Sequence, residues 1–434
     1  MRPPSASTYR LDAGVDVLYD CARGRLSPSR LERLNHSLDV ITAAGAEPIV
    51  ILDYMPACLA ATVPGDVRAP RLLPPRDPAR WQALMTELVT ALVPGRARAH
   101  RVPVRYFEAW NEPDGLFWQS TLADYVTGVL LPAGRACGAV AATSSRPVRF
   151  SVGATTFPDP AWQVPLLRAA AAAQIPVGFV SWHYYANYPL LGPDGGEPGE
   201  NPALAAAAGH ANPAADPITF SAGVSVMRAA AQAALGRVPE LVLDEWNLSA
   251  GGFDLRNDSF VGAAFQAATL LELAAAGLDR ALLYASVDPH TSGQDGKALP
   301  VRHGDWGVVD RTGGRKPAWY AQEMFGWLRG APLGLALRPE PDLWLAGTSD
   351  GSRVHVLAAA FTAHASAATG PHQMTVVLTG LRPGPHRARL ARIDAQHTGA
   401  EAPSLVRVTA DAGGTARLAL RLEPNAVAAV DMDR

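Results

Sequence analysis

Two glutamates at the ends of apolar stretches are the residues of this sequence best suited to acid–base chemistry. Glu112 lies in the stretch Tyr106–Ser120, which begins as an alternating, aromatic-rich strand and ends in Asn-Glu-Pro-Asp-Gly. Pro113 lacks the N–H needed to continue a ladder and Gly115 permits a turn, so the carboxylate is expected where a buried strand stops. Parallel-sheet enzymes present catalytic groups to their ligands at such strand ends.

The second carboxylate of this kind is Glu245, near the end of the apolar stretch Glu240–Trp246. Leu241, Leu243 and Glu245 alternate along this stretch, which predicts that they share one side of a strand. Two inward carboxylates at strand ends can face each other across the mouth of a closed barrel. A separation of about 5–5.5 Å suits retaining glycoside hydrolysis, and about 6.5–9.5 Å suits inversion.

Strands and helices alternate through the first three quarters of the chain, which predicts a parallel sheet of βαβ units. Helix starts are marked by a capping residue followed by proline at Ser27-Pro28 and Asp77-Pro78. Three long connections follow strands and precede helices, as the active-site loops of a (β/α)8 TIM barrel do. They are Met55–Arg76, Ala186–Thr219 and Asp288–Arg315. A doubly wound open sheet is the rival fold, but the first strand is not followed by a glycine-rich phosphate loop.

The count of strand–helix units is seven rather than eight, so either one unit escapes the sequence pattern or the first β/α unit is missing from this chain. We assign residues 1–330 to the barrel. After Gly330, short apolar runs separated by turn residues predict a C-terminal β-sandwich domain over residues 331–434. Gly330–Pro341, rich in proline and glycine, is the expected linker.

The composition of the chain indicates which partners and which cellular compartment to expect. A net charge of −2 gives no electrostatic reason to bind nucleic acid or an anionic membrane, and no apolar run reaches membrane-spanning length. Cys21, Cys58 and Cys137 rule out a disulfide framework but leave one pair open. The N-terminus has no secretory signal, which predicts a cytoplasmic protein as written, or a secreted or periplasmic one if the start is truncated. No cofactor is expected.

Several motifs together resemble glycoside hydrolase family 39. They are Trp110-Asn111-Glu112-Pro113, Asp244-Glu245-Trp246, Phe179–Tyr185, Pro48–Pro56, Gly307–Asp310 with Lys316–Tyr320, and Arg392–His397. They occur in the family's order and extend over nearly the whole chain. The resemblance implies a (β/α)8 barrel and a retaining glycosidase similar to β-xylosidases and α-L-iduronidases, with a carbohydrate as its partner.

The resemblance also implies roles for individual residues. Glu112 becomes the general acid/base and Glu245 the nucleophile, while Asn111 binds the sugar 2-hydroxyl. His183 and Tyr185 are expected to contact the sugar or the nucleophile. Large aromatics near a barrel mouth either stack on sugar faces or pack in the core, and two of them are included as candidate substrate-binding residues. These are Trp246 and Trp306.

Two positions depart from the family pattern. Arg10-Leu11-Asp12 replaces an Arg-Phe-His-type sequence, and Ala285 stands where the family often has an aromatic residue. Both positions touch the subsite that chooses the sugar. The alternatives to a β-xylosidase-like enzyme are therefore a catalytically impaired carbohydrate-binding relative and an endo-acting exopolysaccharide glycosidase. A metal-dependent hydrolase would need His183, His290 and His303 to converge, but their spacing matches no metal-binding motif.

Overall fold

A computed structural model describes residues 8–62, 65–186, 216–250, 253–292, 297–334, 342–362 and 370–434. Its strands are β1 (Thr8–Asp12), β2 (Tyr19–Asp20), β3 (Arg25–Leu26), β4 (Glu47–Ile51), β5 (Tyr106–Glu108), β6 (Arg149–Ser151), β7 (Phe179–Tyr185), β8 (Glu240–Asn247), β9 (Arg280–Leu283), β10 (Ala331–Pro332), β11 (Leu343–Ser349), β12 (Arg353–Ala360), β13 (His372–Leu378), β14 (Gly384–Ile393), β15 (Ser404–Ala410), β16 (Ala416–Leu422) and β17 (Ala426–Asp433).

The α-helices lie mostly between the strands of the first three quarters. They are α1 (Val15–Leu18), α2 (Pro28–Ala43), α3 (Pro78–Thr90), α4 (Arg96–Arg98), α5 (Leu122–Tyr125), α6 (Leu131–Thr143), α7 (Pro160–Ala172), α8 (Ile218–Leu235), α9 (Phe260–Ala275) and α10 (Pro317–Phe325). Asp77 caps α3 as predicted, because its side chain accepts a hydrogen bond from the Ala79 N–H. Ser27 precedes α2 but makes no such side-chain bond.

Seven parallel strands form the inner layer of the predicted barrel. β1, β4, β5 and β6 pair in that order in one sheet, and β7, β8 and β9 form a second. Isolated parallel bridges, such as Phe150 to Val177 and Thr155 to Trp182, join β6 to β7. One apolar layer inside the strands contains Ile49, Tyr106, Phe179, Val242 and Leu282. The described chain therefore has the general form of a (β/α) barrel.

The barrel differs from a closed eight-stranded sheet between β1 and β9. No ladder of backbone hydrogen bonds joins these two strands in the described part of the chain. Side chains link them instead: Arg280 donates to Thr8 Oγ1, and the Tyr9 hydroxyl lies 3.5 Å from Ser286 Oγ. The cavity of the barrel continues through this opening to Leu270 and Phe325 in the outer helices.

The helical segment Leu122–Thr143 is long and apolar enough to cross a membrane, judged by length and composition. Half of the most apolar 18-residue stretch of this segment is buried inside the molecule. There, Ala133, Cys137 and Val140 belong to the main hydrophobic core, which is the position expected of a helix in the outer layer of a barrel.

The C-terminal strands form two antiparallel sheets, one in the order β10-β11-β12-β17-β14-β15 and one of β13 and β16. Their facing side chains share one apolar core, which includes Val356, Leu390 and Leu420. The other face of the larger sheet packs on α9, where the rings of Phe265 and Phe361 lie 5.4 Å apart. This end of the molecule is therefore attached to the barrel through a buried apolar contact.

Cys21 and Cys58 form a disulfide, and Cys137 is buried and free. The bond connects the turn between β2 and β3 to the long connection that follows β4. Most of the second long connection predicted from the sequence, residues 187–215, lies outside the described residues.

Candidate active site

A cavity of about 1080 Å³ opens at the carboxyl ends of the barrel strands. Its lining includes most of the residues that the sequence singles out as site candidates. These are Asn111, Glu112, Tyr185, Glu245, Trp246 and Trp306. His183 completes the group through its hydrogen bond to Glu112. The sequence-predicted site residues thus come together at one end of the barrel.

Glu112 lies just beyond the end of β5, in a backbone conformation that is unusual for its type. Its φ is 45°, in the left-handed region that few non-glycine residues adopt and that is most common at functional sites. Its N–H donates to the Ala154 carbonyl at 3.0 Å. Asp114 also accepts bonds from the Thr156 N–H, so this loop is fixed to the end of β6. The backbone that carries the Glu112 side chain is therefore fixed to the segment that follows β6.

Glu245 reaches the barrel interior because β8 contains a β-bulge. Trp182 pairs with Leu243 and His183 with Glu245, which leaves Asp244 without a partner on β7. A bulge of this kind breaks the strict alternation of side chains. Consequently the neighbouring residues Asp244 and Glu245 both point inward, and both accept hydrogen bonds from Arg10.

This geometry corrects the strand pattern inferred from the sequence. Leu241 and Leu243 do not share a side with Glu245, because they pack in the core between the strands and the helices. Val242 occupies the inner apolar layer instead. The sequence pattern correctly predicted Glu245 as an inward carboxylate at the end of the strand but wrongly put Leu241 and Leu243 on the same side, since alternation cannot anticipate a bulge.

His183 lies between the two glutamates. Its Nδ1 is 2.7 Å from Glu112 Oε1 and 3.9 Å from Glu245 Oε2, and the three ligand atoms of this group lie within 4.8 Å of one another. Burial lowers the pKa of the imidazole, but Glu245, Glu112 and Asp244 together outweigh it and raise the pKa to about 9. The ring is therefore an imidazolium at neutral pH, and its Nδ1–H donates to Glu112.

Arg10 binds more site groups than any other residue of the cavity. Its guanidinium donates to Asp244 at 3.0 Å and Glu245 at 3.2 Å. It also donates to Glu108 Oε1 at 2.9 Å and Asn111 Oδ1 at 2.7 Å. Arg10 was not among the predicted site residues. The available signal was a charged residue within a strand that is otherwise part of a buried sheet, which needs partners inside the barrel.

Tyr185 and Asn111 also contact this network. The Tyr185 hydroxyl donates to Glu245 Oε1 at 2.5 Å, and burial, with the charge of Glu245, raises the pKa of Tyr185 well above its usual value. The Asn111 amide lies 3.4 Å from the Tyr54 hydroxyl. Glu245 therefore has one donor on each oxygen, Tyr185 on Oε1 and Arg10 on Oε2.

The two candidate tryptophans occupy different environments. Trp246 is only 1% exposed, and its ring packs against Phe220 and Phe265, with centroids 5.8 and 6.4 Å away. The prediction that it stacks on a sugar is therefore wrong, because it is a core residue with no free ring face. Trp306 is partly exposed at the cavity wall, where its indole N–H donates to the Ser249 carbonyl. Its role in substrate binding stays a prediction.

The three histidines considered for metal binding divide between two clusters. His183 contacts Glu112, whereas His290 and His303 both lie beside Asp305, at 3.0 and 3.3 Å. Glu112, His183 and Glu245 form the one described group with ligand atoms close enough to hold a metal ion. Their contacts are those of a hydrogen-bonded chain with Tyr185 and Arg10, so the geometry favours acid–base chemistry.

Comparison with known proteins supports the family that the sequence resembles. The model of the family "Glycosyl hydrolases family 39" matches residues 15–192. The predicted resemblance to glycoside hydrolase family 39 is confirmed over this segment. The chain is accordingly a glycosidase, a hydrolase of glycosidic bonds. A search of curated proteins found no match.

Solved structures with the same fold include other members of family 39. A monomeric β-xylosidase from Caulobacter crescentus CB15 is 20% identical to this chain, with a TM-score of 0.72. The match covers 94% of this chain and 85% of the β-xylosidase chain. The family 39 enzyme from Xanthomonas axonopodis pv. citri is 20% identical, with a TM-score of 0.68 and coverages of 94% and 83%. A glucosidase from Croceicoccus marinus is 17% identical, with a TM-score of 0.67 and coverages of 92% and 81%. At these identities the likeness establishes the fold alone.

The family match covers only some of the candidate residues. Asn111, Glu112, His183 and Tyr185 lie within residues 15–192, whereas Glu245 lies beyond them. The case for Glu245 therefore rests on its position opposite Glu112 and on its hydrogen bonds, rather than on the matched segment.

Proposed function

We propose that the chain is a retaining, β-xylosidase-like glycosidase that uses Glu112 as general acid/base and Glu245 as nucleophile. The observation that carries this proposal is the close approach of the two carboxylates. Ligand oxygens of Glu112 and Glu245 lie within 4.8 Å of each other, which is near the separation that suits a covalent intermediate and below the separation that suits inversion.

In the first step, Glu112 donates its proton to the glycosidic oxygen as the bond from that oxygen to the anomeric carbon breaks. A carboxylate oxygen of Glu245 forms a bond to the same carbon, and the aglycone leaves as an alcohol. In the second step, Glu112 as a carboxylate takes a proton from water. The water oxygen bonds to the anomeric carbon and Glu245 is released, so the configuration of the sugar is retained.

The neighbouring groups suit these two roles. The imidazolium of His183, 2.7 Å from Glu112, stabilises the carboxylate that Glu112 becomes once its proton has been donated. Tyr185 and Arg10 each donate a hydrogen bond to one oxygen of Glu245 and so fix the orientation of this carboxylate for attack. Asn111, held by Arg10, lies next to Glu112 and can bind the hydroxyl beside the anomeric carbon.

Substitution of the two glutamates tests the mechanism. With an aryl β-D-xyloside, Glu245→Gln is expected to lower kcat by at least about 10³-fold, because it removes the nucleophile. Glu112→Gln should lower the turnover of alkyl xylosides more than the turnover of xylosides with a good leaving group. Only the alkyl xylosides require a proton to be donated to the leaving group. Glu32→Gln, on the surface of α2, is the matched control.

The product anomer, read by NMR at early times, tests retention directly. Undiminished turnover by Glu245→Gln, or an initial product of inverted configuration, would refute the mechanism. Calorimetric binding of xylosides without any turnover by the unmodified chain would instead favour the impaired, carbohydrate-binding relative.

We also propose that an eighth strand–helix unit completes the barrel between β1 and β9. The opening there is bounded by strands without a shared ladder and by apolar side chains of α9 and α10, including Leu270, Leu273 and Phe325. A strand with an apolar face fits such an edge, because unpaired strand edges and exposed apolar faces destabilise a sheet. A chain extended by in-frame upstream coding sequence should melt at a higher temperature than this one. An unchanged melting temperature would contradict the proposal.

A further inference from the structure

Asp12 is a carboxylate of the cavity that the proposed mechanism does not use. Asp12 is the last residue of β1, where it pairs in register with Ile51, and its side chain lines the cavity. It is exposed to the cavity rather than packed, and it accepts no hydrogen bond from any described residue. A carboxylate has lone pairs for about four hydrogen bonds, so this group is available to a ligand.

The cations near Asp12 are bound to other groups. Arg10, two residues earlier, already donates to Asp244, Glu245, Glu108 and Asn111. Arg71 stacks on the Tyr54 ring at 4.2 Å and pairs with Asp16 at 3.3 Å. Neither guanidinium makes an ion pair with Asp12.

The strand that pairs with β1 is β4, and the residue near Asp12 that follows β4 is an acid rather than a base. Asp53 follows β4, is completely buried, and has no hydrogen-bond partner on either carboxylate oxygen. Burial, and then the charge of Asp12, raise the pKa of Asp53 well above its usual range. At the wall of the cavity next to β1, Asp12 therefore offers acceptor oxygens, and no described cation forms an ion pair with it.

We propose that Asp12 selects the sugar: its carboxylate accepts hydrogen bonds from hydroxyl groups of an uncharged sugar bound beside Glu245, and it repels sugars that carry a carboxylate. This inference rests on the proposed function, because it concerns the same site. It assigns the enzyme to neutral glycosides and excludes uronides, whose acid group would meet both Asp12 and Glu245.

The expected effects follow from the hydrogen bonds and the charge. Loss of hydrogen bonds from hydroxyls to a charged acceptor lowers kcat/KM about 10- to 100-fold. Asp12→Asn keeps the shape of the side chain but removes its charge, so it should lower kcat/KM for the neutral substrate and weaken the discrimination against a uronide. Asp20→Asn replaces a carboxylate outside the cavity that pairs with Arg23, and it is the matched control.

The test uses two aryl glycosides that differ only at C6, a β-D-glucoside and a β-D-glucuronide, with an aryl β-D-xyloside as third substrate. The unmodified chain should favour the glucoside by at least about 100-fold, as expected when a second charge must be accommodated in an acidic cavity. Asp12→Asn should reduce this ratio at least tenfold, and Asp20→Asn should leave it unchanged. Circular dichroism checks that each variant is folded.

Binding of methyl β-D-xyloside and of glucuronate is measured separately by calorimetry, for the unmodified chain and for Asp12→Asn. Hydrolysis of the glucuronide as fast as the glucoside, or an Asp12→Asn variant within twofold of the unmodified chain, would overturn the role of Asp12 and leave the glycosidase assignment intact. If xyloside binding depends on Asp12 but no glycoside is turned over, the role of Asp12 in sugar binding is supported and the double-displacement mechanism is refuted. Absence of both binding and turnover would refute both.

Discussion

Replacement of Arg10 by methionine is the most demanding test of how the site is held together. The guanidinium contacts three carboxylates, and the side chains of Glu108 and Asp244 have no exposed surface at all. Burial works against the charge on Arg10, but these carboxylates together raise its pKa well above the usual value. Methionine preserves the apolar stem of the side chain and removes all four hydrogen bonds.

The size of the expected loss in the free energy of unfolding follows from the carboxylates that Arg10→Met leaves without a cation. Removal of one partner from a buried ion pair costs about 3–5 kcal/mol, because an uncompensated charge stays in the interior. Two fully buried acids lose their cation here, so we expect the free energy of unfolding at pH 7 to fall by at least about 3 kcal/mol. Part of this loss should be recovered at pH 5, since burial raises the pKa of Asp244, which can then take up a proton in the folded variant.

Urea unfolding followed by tryptophan fluorescence at both pH values measures this loss. Arg23→Met, which removes an exposed ion pair with Asp20, serves as the control and should not change the transition. Arg10→Lys should fall between the variant and the unmodified chain, because one ammonium cannot reach four acceptors. A variant Arg10→Met that unfolds within 1 kcal/mol of the unmodified chain (about the worth of one hydrogen bond) would refute this account of the network.

Three further predictions concern pH, the disulfide and the aromatic wall. The pKa of His183 is raised to about 9, so its stabilising contribution should be complete below about pH 6.5 and be lost as the pH rises through 9. Urea unfolding from pH 6 to 10 should show this loss in the unmodified chain and not in His183→Gln. Serine at Cys21 and Cys58 should lower the free energy of unfolding by about 2–4 kcal/mol, and dithiothreitol should destabilise only the unmodified chain. Trp306→Ala should raise KM for an aryl xyloside, whereas Trp246→Phe should reduce thermal stability with little change in KM; the reverse pattern would contradict their assigned environments.

The sequence predicted the barrel well because its strands are short apolar runs between clearly capped helices. Asp77 is an example, since its capping role follows from local chemistry and was observed. The close approach of Glu112 and Glu245 was also accessible, because both follow strands whose ends meet at one edge of a barrel. These features depend on local pattern and on a general rule of the fold.

Other features depended on contacts that no local pattern encodes. The number of partners of Arg10 became visible only when β5 and β8 were placed around β1. Trp246 appeared to be a candidate for sugar stacking because it follows Glu245, but the bulge turns Glu245 inward, and Trp246 therefore points outward into the core. The pairing of Cys21 with Cys58 requires their distance in space, which their separation in sequence cannot provide.

The bulge in β8 makes the active site depend on the length of that strand as well as on its residues. Asp244 is the extra residue, and it allows two adjacent acids to serve one arginine. Deletion of Asp244 would restore regular pairing, keep Glu245 opposite His183 and leave Arg10 with one acid fewer, although every strand of the barrel could still form. Among related sequences, substitutions along β8 should therefore be far more frequent than insertions or deletions, and a chain that has lost Asp244 should be a folded protein whose Arg10 makes fewer hydrogen bonds in the site.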